Sequence, residues 1–166
     1  MMGWHAIGGQ RPLWPSRGWW AALAAILALA GVLRFTGYNF GLPYIDHPDE
    51  PNFYIQAALR FGQGESIAHM KSYPPAYFTL YYLFQKLLND PHLTPAKQVA
   101  IMRVCSVVVS LFSLTLIGLL AYQVAAEAAG LLAAGFWAVQ PVVVVHSCYA
   151  TPDNYAVLTA LAALLS

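Results

Sequence analysis

The run VCSVVVSLFSLTLIGLLAYQVAA, from Val104 to Ala126, contains no charged residue. It exceeds the roughly 20 apolar residues with which a helix crosses the hydrocarbon of a bilayer. The expected element is a membrane span over about residues 98–122, entered past Lys97 and Arg103. Working outward, Trp19 to Leu33 is also free of charge, and apolar character resumes after Arg34 as far as Phe40. This predicts a first span over about 19–40, with Arg34 near one end and snorkelling to the headgroups. On the other side, Glu127 marks a tight turn. Ala128 to Pro152 is again uncharged and predicts a third span over about 128–146, in which Gly130, Ala133, Ala134 and Gly135 offer small surfaces for close packing. His146 to Asp153 forms a polar corner, and a fourth apolar helix begins at Asn154. Its 13 residues, 154–166, reach about 20 Å, short of a hydrocarbon core of about 30 Å. The expectation is an N-terminal fragment with further spans beyond it.

Composition agrees with this class. The chain is 59% hydrophobic and 9% charged over 166 residues, against roughly 25% charge for a soluble domain. So few charges cannot coat a globule, which makes membrane lipids the expected surroundings. The net charge of +1 provides no basic footprint and excludes a nucleic-acid partner. Ten Tyr and five Trp can serve as interfacial anchors. A cleaved signal peptide ending at Ala28-Leu29-Ala30 is an alternative for the first apolar stretch, but it leaves the later spans in place. Cys105 and Cys148 lack metal-ligand spacing. They suit small buried positions, or a disulfide if both lie near one membrane face.

Residues 1–18 read as a polar tail, and residues 41–97 as a large loop outside the hydrocarbon. Within the loop, Pro51 to Phe61 has an apolar face at helical spacing, through Phe53, Tyr54, Ala57, Ala58 and Phe61. Pro74 to Leu88 reads as a second short helix, aromatic-rich and interfacial, stopped by Asn89, Asp90 and Pro91. Charge bias leaves the orientation open. Arg11 and Arg17 favour a cytoplasmic N-terminus, whereas the loop's own Arg and Lys residues argue the reverse.

Three segments could carry chemistry. Asp46, Asp49 and Glu50 crowd the start of the Pro51 helix. One of these acids can cap that helix and meet its dipole. A carboxylate beside apolar walls can also act as a general base. Asp49 is the expected base, and Glu50, adjacent to Pro51, is the better cap. Asp153 opens the fourth helix. If the chain changes side at every span, it shares a face with the loop. Lys71, ahead of Pro74-Pro75-Ala76-Tyr77-Phe78, and Arg103 could neutralise a phosphate at headgroup level. No cofactor is legible. A divalent cation held by His47, His69 or His146 beside the acids stays open, without a ligand spacing to support it. No Gly-rich phosphate loop, Ser/His/Asp signature or zinc motif is present.

Taken in order, Asp49-Glu50, Pro74-Pro75-Ala76-Tyr77-Phe78, Arg103 and Asp153 resemble the pattern of the C-type (GT-C) polytopic membrane glycosyltransferases. That group includes the protein O-mannosyltransferases, the aminoarabinose transferases and the Rgt-type enzymes. The resemblance covers residues 19–166. It implies an all-α, multi-pass fold in the plasma membrane, with the loop and its interfacial helices extracytoplasmic. It further implies an inverting glycosyltransferase that takes a sugar from a polyprenyl-phosphate-linked donor to a glycan, lipid or protein acceptor. Asp49, Glu50 and Asp153 would then be the catalytic group, with Asp49 as base, and Lys71 and Arg103 would bind substrate phosphate. Two positions depart from the pattern: Ser72 and Tyr73 separate Lys71 from the Pro pair, and Asn52 stands where some relatives carry Arg. The competing class is a transporter or channel that uses membrane-surface acids for ion or substrate binding, and a third reading is a non-catalytic membrane scaffold.

Overall fold

The computed structural model describes residues 14–44, 47, 50, 60, 64–65, 75–88 and 94–166, with backbone only at 75, 76, 85, 88 and 95. Every regular element among them is helical: α1 (Arg17–Phe35), α2 (Pro75–Leu88), α3 (Pro95–Val124), α4 (Glu127–Val139), α5 (Pro141–Ser147) and α6 (Asp153–Leu165). The expected helix at Pro51 to Phe61 lies outside the described residues. Among the described residues two helices are long and apolar enough to cross a membrane, α1 and the Ala96–Val124 part of α3.

Local sequence explains the ends of both. Ser16 caps α1 by accepting the Trp19 N–H at 3.3 Å. Thr94 caps α3 by accepting the Lys97 N–H, and Pro95 occupies the first turn, where its missing N–H costs nothing. α3 ends at Val124, and after two residues α4 starts at Glu127, as the turn predicted there requires.

Where α3 packs on α4, small and polar side chains are buried and several large apolar ones exposed, while Trp19, Leu23, Leu114 and Tyr122 fill the core beside them. On α4, Gly130, Ala134 and Ala138 recur every four residues and are buried, while Leu132, Phe136 and Val139 are exposed. Ser106, Ser110 and Ser113 form the buried polar stripe of α3, whereas Phe112 is 61% exposed. Small residues let these helices approach closely, a packing common between membrane-spanning helices. The closest crossing is Gly118 of α3 against Gly130 of α4. A Cβ on Gly130 would sit 2.7 Å from the Gly118 carbonyl oxygen and 3.1 Å from Trp19 Nε1. Gly135, also expected in the packing stripe, has nothing within 4 Å of a Cβ. Gly130→Ala therefore forces α3 and α4 apart at a cost of about 1–3 kcal/mol, while Gly135→Ala is neutral or mildly stabilising. Thermal unfolding in detergent separates the two, and equal midpoints would contradict this crossing.

The predicted third span is not one straight helix. α4 and α5 meet at a 62° bend. Pro141 has no N–H to offer the Trp137 carbonyl four residues back, so the helix breaks at Gln140. A second departure explains how the break is tolerated. Arg34 does not snorkel to the headgroups; it is fully buried. Its Nη1 donates to the Ala138 carbonyl at 3.0 Å and its Nη2 to that of Trp137 at 3.4 Å, while Nε reaches Ser110 Oγ at 3.1 Å. The guanidinium therefore caps carbonyls freed at the C-terminal end of α4, where the helix dipole favours a cation. Arg34 turns inward to these carbonyls, for which no other donor stands among the described residues.

The relative directions of the helices follow from the end contacts of the bundle. At one end, Ser16 N–H and Oγ donate to the Glu127 carboxylate at 2.7 and 3.1 Å, and Trp19 Nε1 donates to the Glu127 carbonyl at 3.0 Å. α1 and α4 thus start together and run parallel, with α3 antiparallel to both. At the other end, the segment after α1, the start of α3's uncharged run and the corner before α6 come together.

Candidate functional site

That second end holds the most polar junction among the described residues. Glu50 and Arg103 are buried, at 0% and 1% exposure. Arg103 donates from Nε to Glu50 Oε1 at 2.9 Å and from Nη2 to Oε2 at 2.6 Å, a two-pronged pair. Its Nη1 donates to the carbonyls of Tyr38 and Phe40, at 3.2 and 2.7 Å. Glu50 Oε1 also accepts the Ala150 N–H at 2.6 Å. One ion pair therefore ties four stretches together: the end of α1, the acidic segment, α3 and the corner before α6.

Aromatic contacts reinforce the junction. The Arg103 guanidinium lies 5.3 Å from the Tyr149 ring centroid, and His47 packs on the same ring at 4.9 Å. Below it, Tyr77 and Tyr81 of α2 and Tyr155 of α6 form a ring cluster with centroids 4.5–5.7 Å apart. Tyr77 Oη donates to the Ala150 carbonyl at 2.9 Å, and Tyr81 Oη shares a hydrogen bond with Ser106 Oγ at 3.1 Å. Residue 150 is thus held from both its N–H and its carbonyl.

The expected site residues fall as follows. Asp49 and Lys71 lie outside the described residues. Glu50, expected as a cap and in the catalytic group, pairs with Arg103 53 positions away; the helix it was expected to cap lies outside the described residues. Arg103, expected at a phosphate, has its guanidinium occupied by Glu50 and two carbonyls. Asp153 is exposed in the first turn of α6, three residues beyond Ala150. The cap position of that helix is Pro152, and the buried Thr151 Oγ1 beside it has no partner among the described residues. His146 is exposed, His69 lies outside the described residues, and no group of three metal-binding side chains forms among those described.

No family model, curated protein or solved structure is found to match this chain.

Sequence reasoning placed Arg34 at the headgroups and missed both its buried role and the partner of Glu50. A cation inside an uncharged stretch was the available signal for Arg34. The cysteines are free thiols, Cys105 buried and Cys148 half-buried beside the Arg34 carbonyl. Burial pushes the Cys148 thiol up, against smaller lowering effects of a Ser147 hydrogen bond and the Arg34 and Arg103 cations. Because the thiolate is the nucleophile, Cys148 alkylates slowly at neutral pH. Its rate keeps climbing with pH beyond the point where an exposed thiol levels off. Iodoacetamide rates in a Cys105→Ser background check this; an ordinary thiol profile would contradict it.

Proposed function

We propose that this chain belongs to a GT-C glycosyltransferase of the plasma membrane, multi-pass, acting at the extracytoplasmic face. The reaction is inverting transfer of a sugar from a polyprenyl-phosphate-linked donor to a glycan, lipid or protein acceptor. One observation carries the reading: the Glu50–Arg103 pair with the Ala150 N–H on Glu50, which binds the acidic segment to the corner that opens onto Asp153. Glu50 immediately follows Asp49, the proposed base, in sequence. Asp49 takes the proton from the acceptor hydroxyl or amine as that atom attacks the sugar carbon, and the donor phosphate leaves with the bonding pair. Asp153, exposed near the same corner, orients acceptor or donor. Within this reading Arg103 is a positioning residue, and Lys71 remains the candidate for the phosphate.

The test is Asp49→Asn in the membrane-embedded protein, assayed with a polyprenyl-phosphate sugar. Loss of a general base lowers turnover roughly 10²–10⁴-fold, with membrane insertion unchanged. Near-normal turnover removes Asp49 from the mechanism.

A second reading, a transporter, draws support from the α4–α5 break and the buried Arg34, since transporters place broken helices and intramembrane charges at their binding sites. It predicts substrate uptake without sugar transfer. Against it, Arg34 has its donors taken by protein groups, and α1 and the Ala96–Val124 span carry no acid.

A further inference from the structure

The corner before α6 is closed by its own bonds. The Cys148 and Tyr149 N–H groups turn back onto the Val145 and His146 carbonyls, and Asn154 Nδ2 donates to the His146 carbonyl at 3.3 Å. Pro152 stiffens the step into Asp153. Other bonds fix the corner to the rest of the bundle. At its start, Cys148 Sγ makes a long one, 3.4 Å, to the Arg34 carbonyl. Nearer Asp153, both grips fall on Ala150, which is fully buried. Its N–H donates to Glu50 Oε1 at 2.6 Å, and its carbonyl accepts from Tyr77 Oη at 2.9 Å. No other donor reaches that carbonyl among the described residues.

Tyr77 is well placed to hold a backbone still. It stands in the first turn of α2, and its side chain is 2% exposed. Its ring packs edge-on against Phe78, Tyr81 and Tyr155, with centroids 5.1, 4.5 and 5.0 Å away. A ring packed on three others keeps its hydroxyl in one place. The Ala150 carbonyl meets that fixed hydroxyl three residues before Asp153. α2 is thereby tied to the residue that opens α6.

We infer that Tyr77 is a positioning residue for Asp153: its hydroxyl, together with the Glu50 carboxylate, sets where the corner places that side chain. On the transferase reading, on which this rests, Asp153 orients acceptor or donor. Tyr77 is buried and acts through Ala150, not on the substrate.

Tyr77→Phe keeps the ring and removes the hydroxyl. A misplacement of about 1 Å can cost about 100-fold in rate. With the Glu50 grip still in place, turnover of a polyprenyl-phosphate sugar falls about ten-fold. Asp153→Ala lowers turnover too, and adding Tyr77→Phe to it lowers turnover no further, because nothing is left to position. A second measurement needs no sugar. In a Cys105→Ser, Cys148→Ser background, a nitroxide on Asp153→Cys reports the corner, and one on Leu164→Cys, near the other end of α6, reports the helix as a whole. Both native side chains are exposed. Tyr77→Phe loosens the first label and leaves the second unchanged. Losses that multiply in the Tyr77→Phe, Asp153→Ala variant overturn the proposal. So does an unchanged label at 153, and so does equal loosening at 153 and 164, which would make Tyr77 an ordinary packing residue. A wild type that moves no sugar removes the transferase reading instead, and the label at 153 then decides whether Tyr77 holds the corner.

Discussion

Glu50→Ala destabilises the membrane-embedded chain by about 3–5 kcal/mol, the usual cost of removing one partner of a buried ion pair. The reason is what remains. Arg103 is 1% exposed and would keep its charge in a low-dielectric junction, with Nε and Nη2 both unpaired. The Ala150 N–H would lose its acceptor as well. Arg103→Ala costs a similar amount for the mirrored reason, because Glu50 would be left buried and the Tyr38 and Phe40 carbonyls would lose their donor. The Glu50→Met, Arg103→Met double variant costs much less than the sum, since both charges leave together. Thermal unfolding in detergent gives the cycle. Additive losses, with a coupling below about 1 kcal/mol, would show that the pair does not hold this end of the bundle. The same variants separate two kinds of activity loss. Asp49→Asn lowers turnover without lowering the midpoint, whereas Glu50→Ala lowers both.

Arg34→Leu carries the second large effect, about 3 kcal/mol or more. The substitution keeps an apolar side chain of fair size at a buried position but withdraws the donors that serve the Ala138 and Trp137 carbonyls and Ser110 Oγ. Each buried carbonyl left unsatisfied costs about 1–3 kcal/mol, and nothing in a lipid surround replaces the lost donor. Arg34→Lys recovers part of the loss, because an ammonium can reach one carbonyl but cannot span two with a planar fork. Pro141→Ala in the Arg34→Leu background gives a further check: an N–H restored at residue 141 can serve the Trp137 carbonyl. A partial rescue there is expected. An Arg34→Leu variant as stable as wild type would mean that the break needs no cap.

Much of the architecture depends on local properties that a sequence displays directly. A span needs a long run without charge, and Trp19–Leu33 and Val104–Ala126 fall within α1 and largely within α3 for that reason. The predicted 74–88 helix appears as Pro75–Leu88, because a proline can open a helix and Asn89, Asp90 and Pro91 discourage its continuation. The acids were legible as a cluster, but Asp49 itself lies outside the described residues. The junction was not legible, because its partners are 53 and 100 positions apart and nothing local encodes which cation meets which acid.

The sequence alone determined a helical protein with runs long and apolar enough to cross a membrane, and the approximate extents of α1, α2 and α3. Length, absence of charge and the chemistry of Ser, Thr, Pro and Gly act on neighbouring residues and need no fold to be read. The tertiary structure alone decided which faces meet. α3 and α4 are apolar nearly all round, so their patterns do not say that Gly130 and Ala134 turn inward and Gly135 does not. It also decided that Arg34 turns to the carbonyls of a broken helix instead of the headgroups, and that Glu50 joins Arg103. In an apolar surround a buried charge or a free carbonyl must find its partner within the protein, and only the assembled bundle brings those partners into reach.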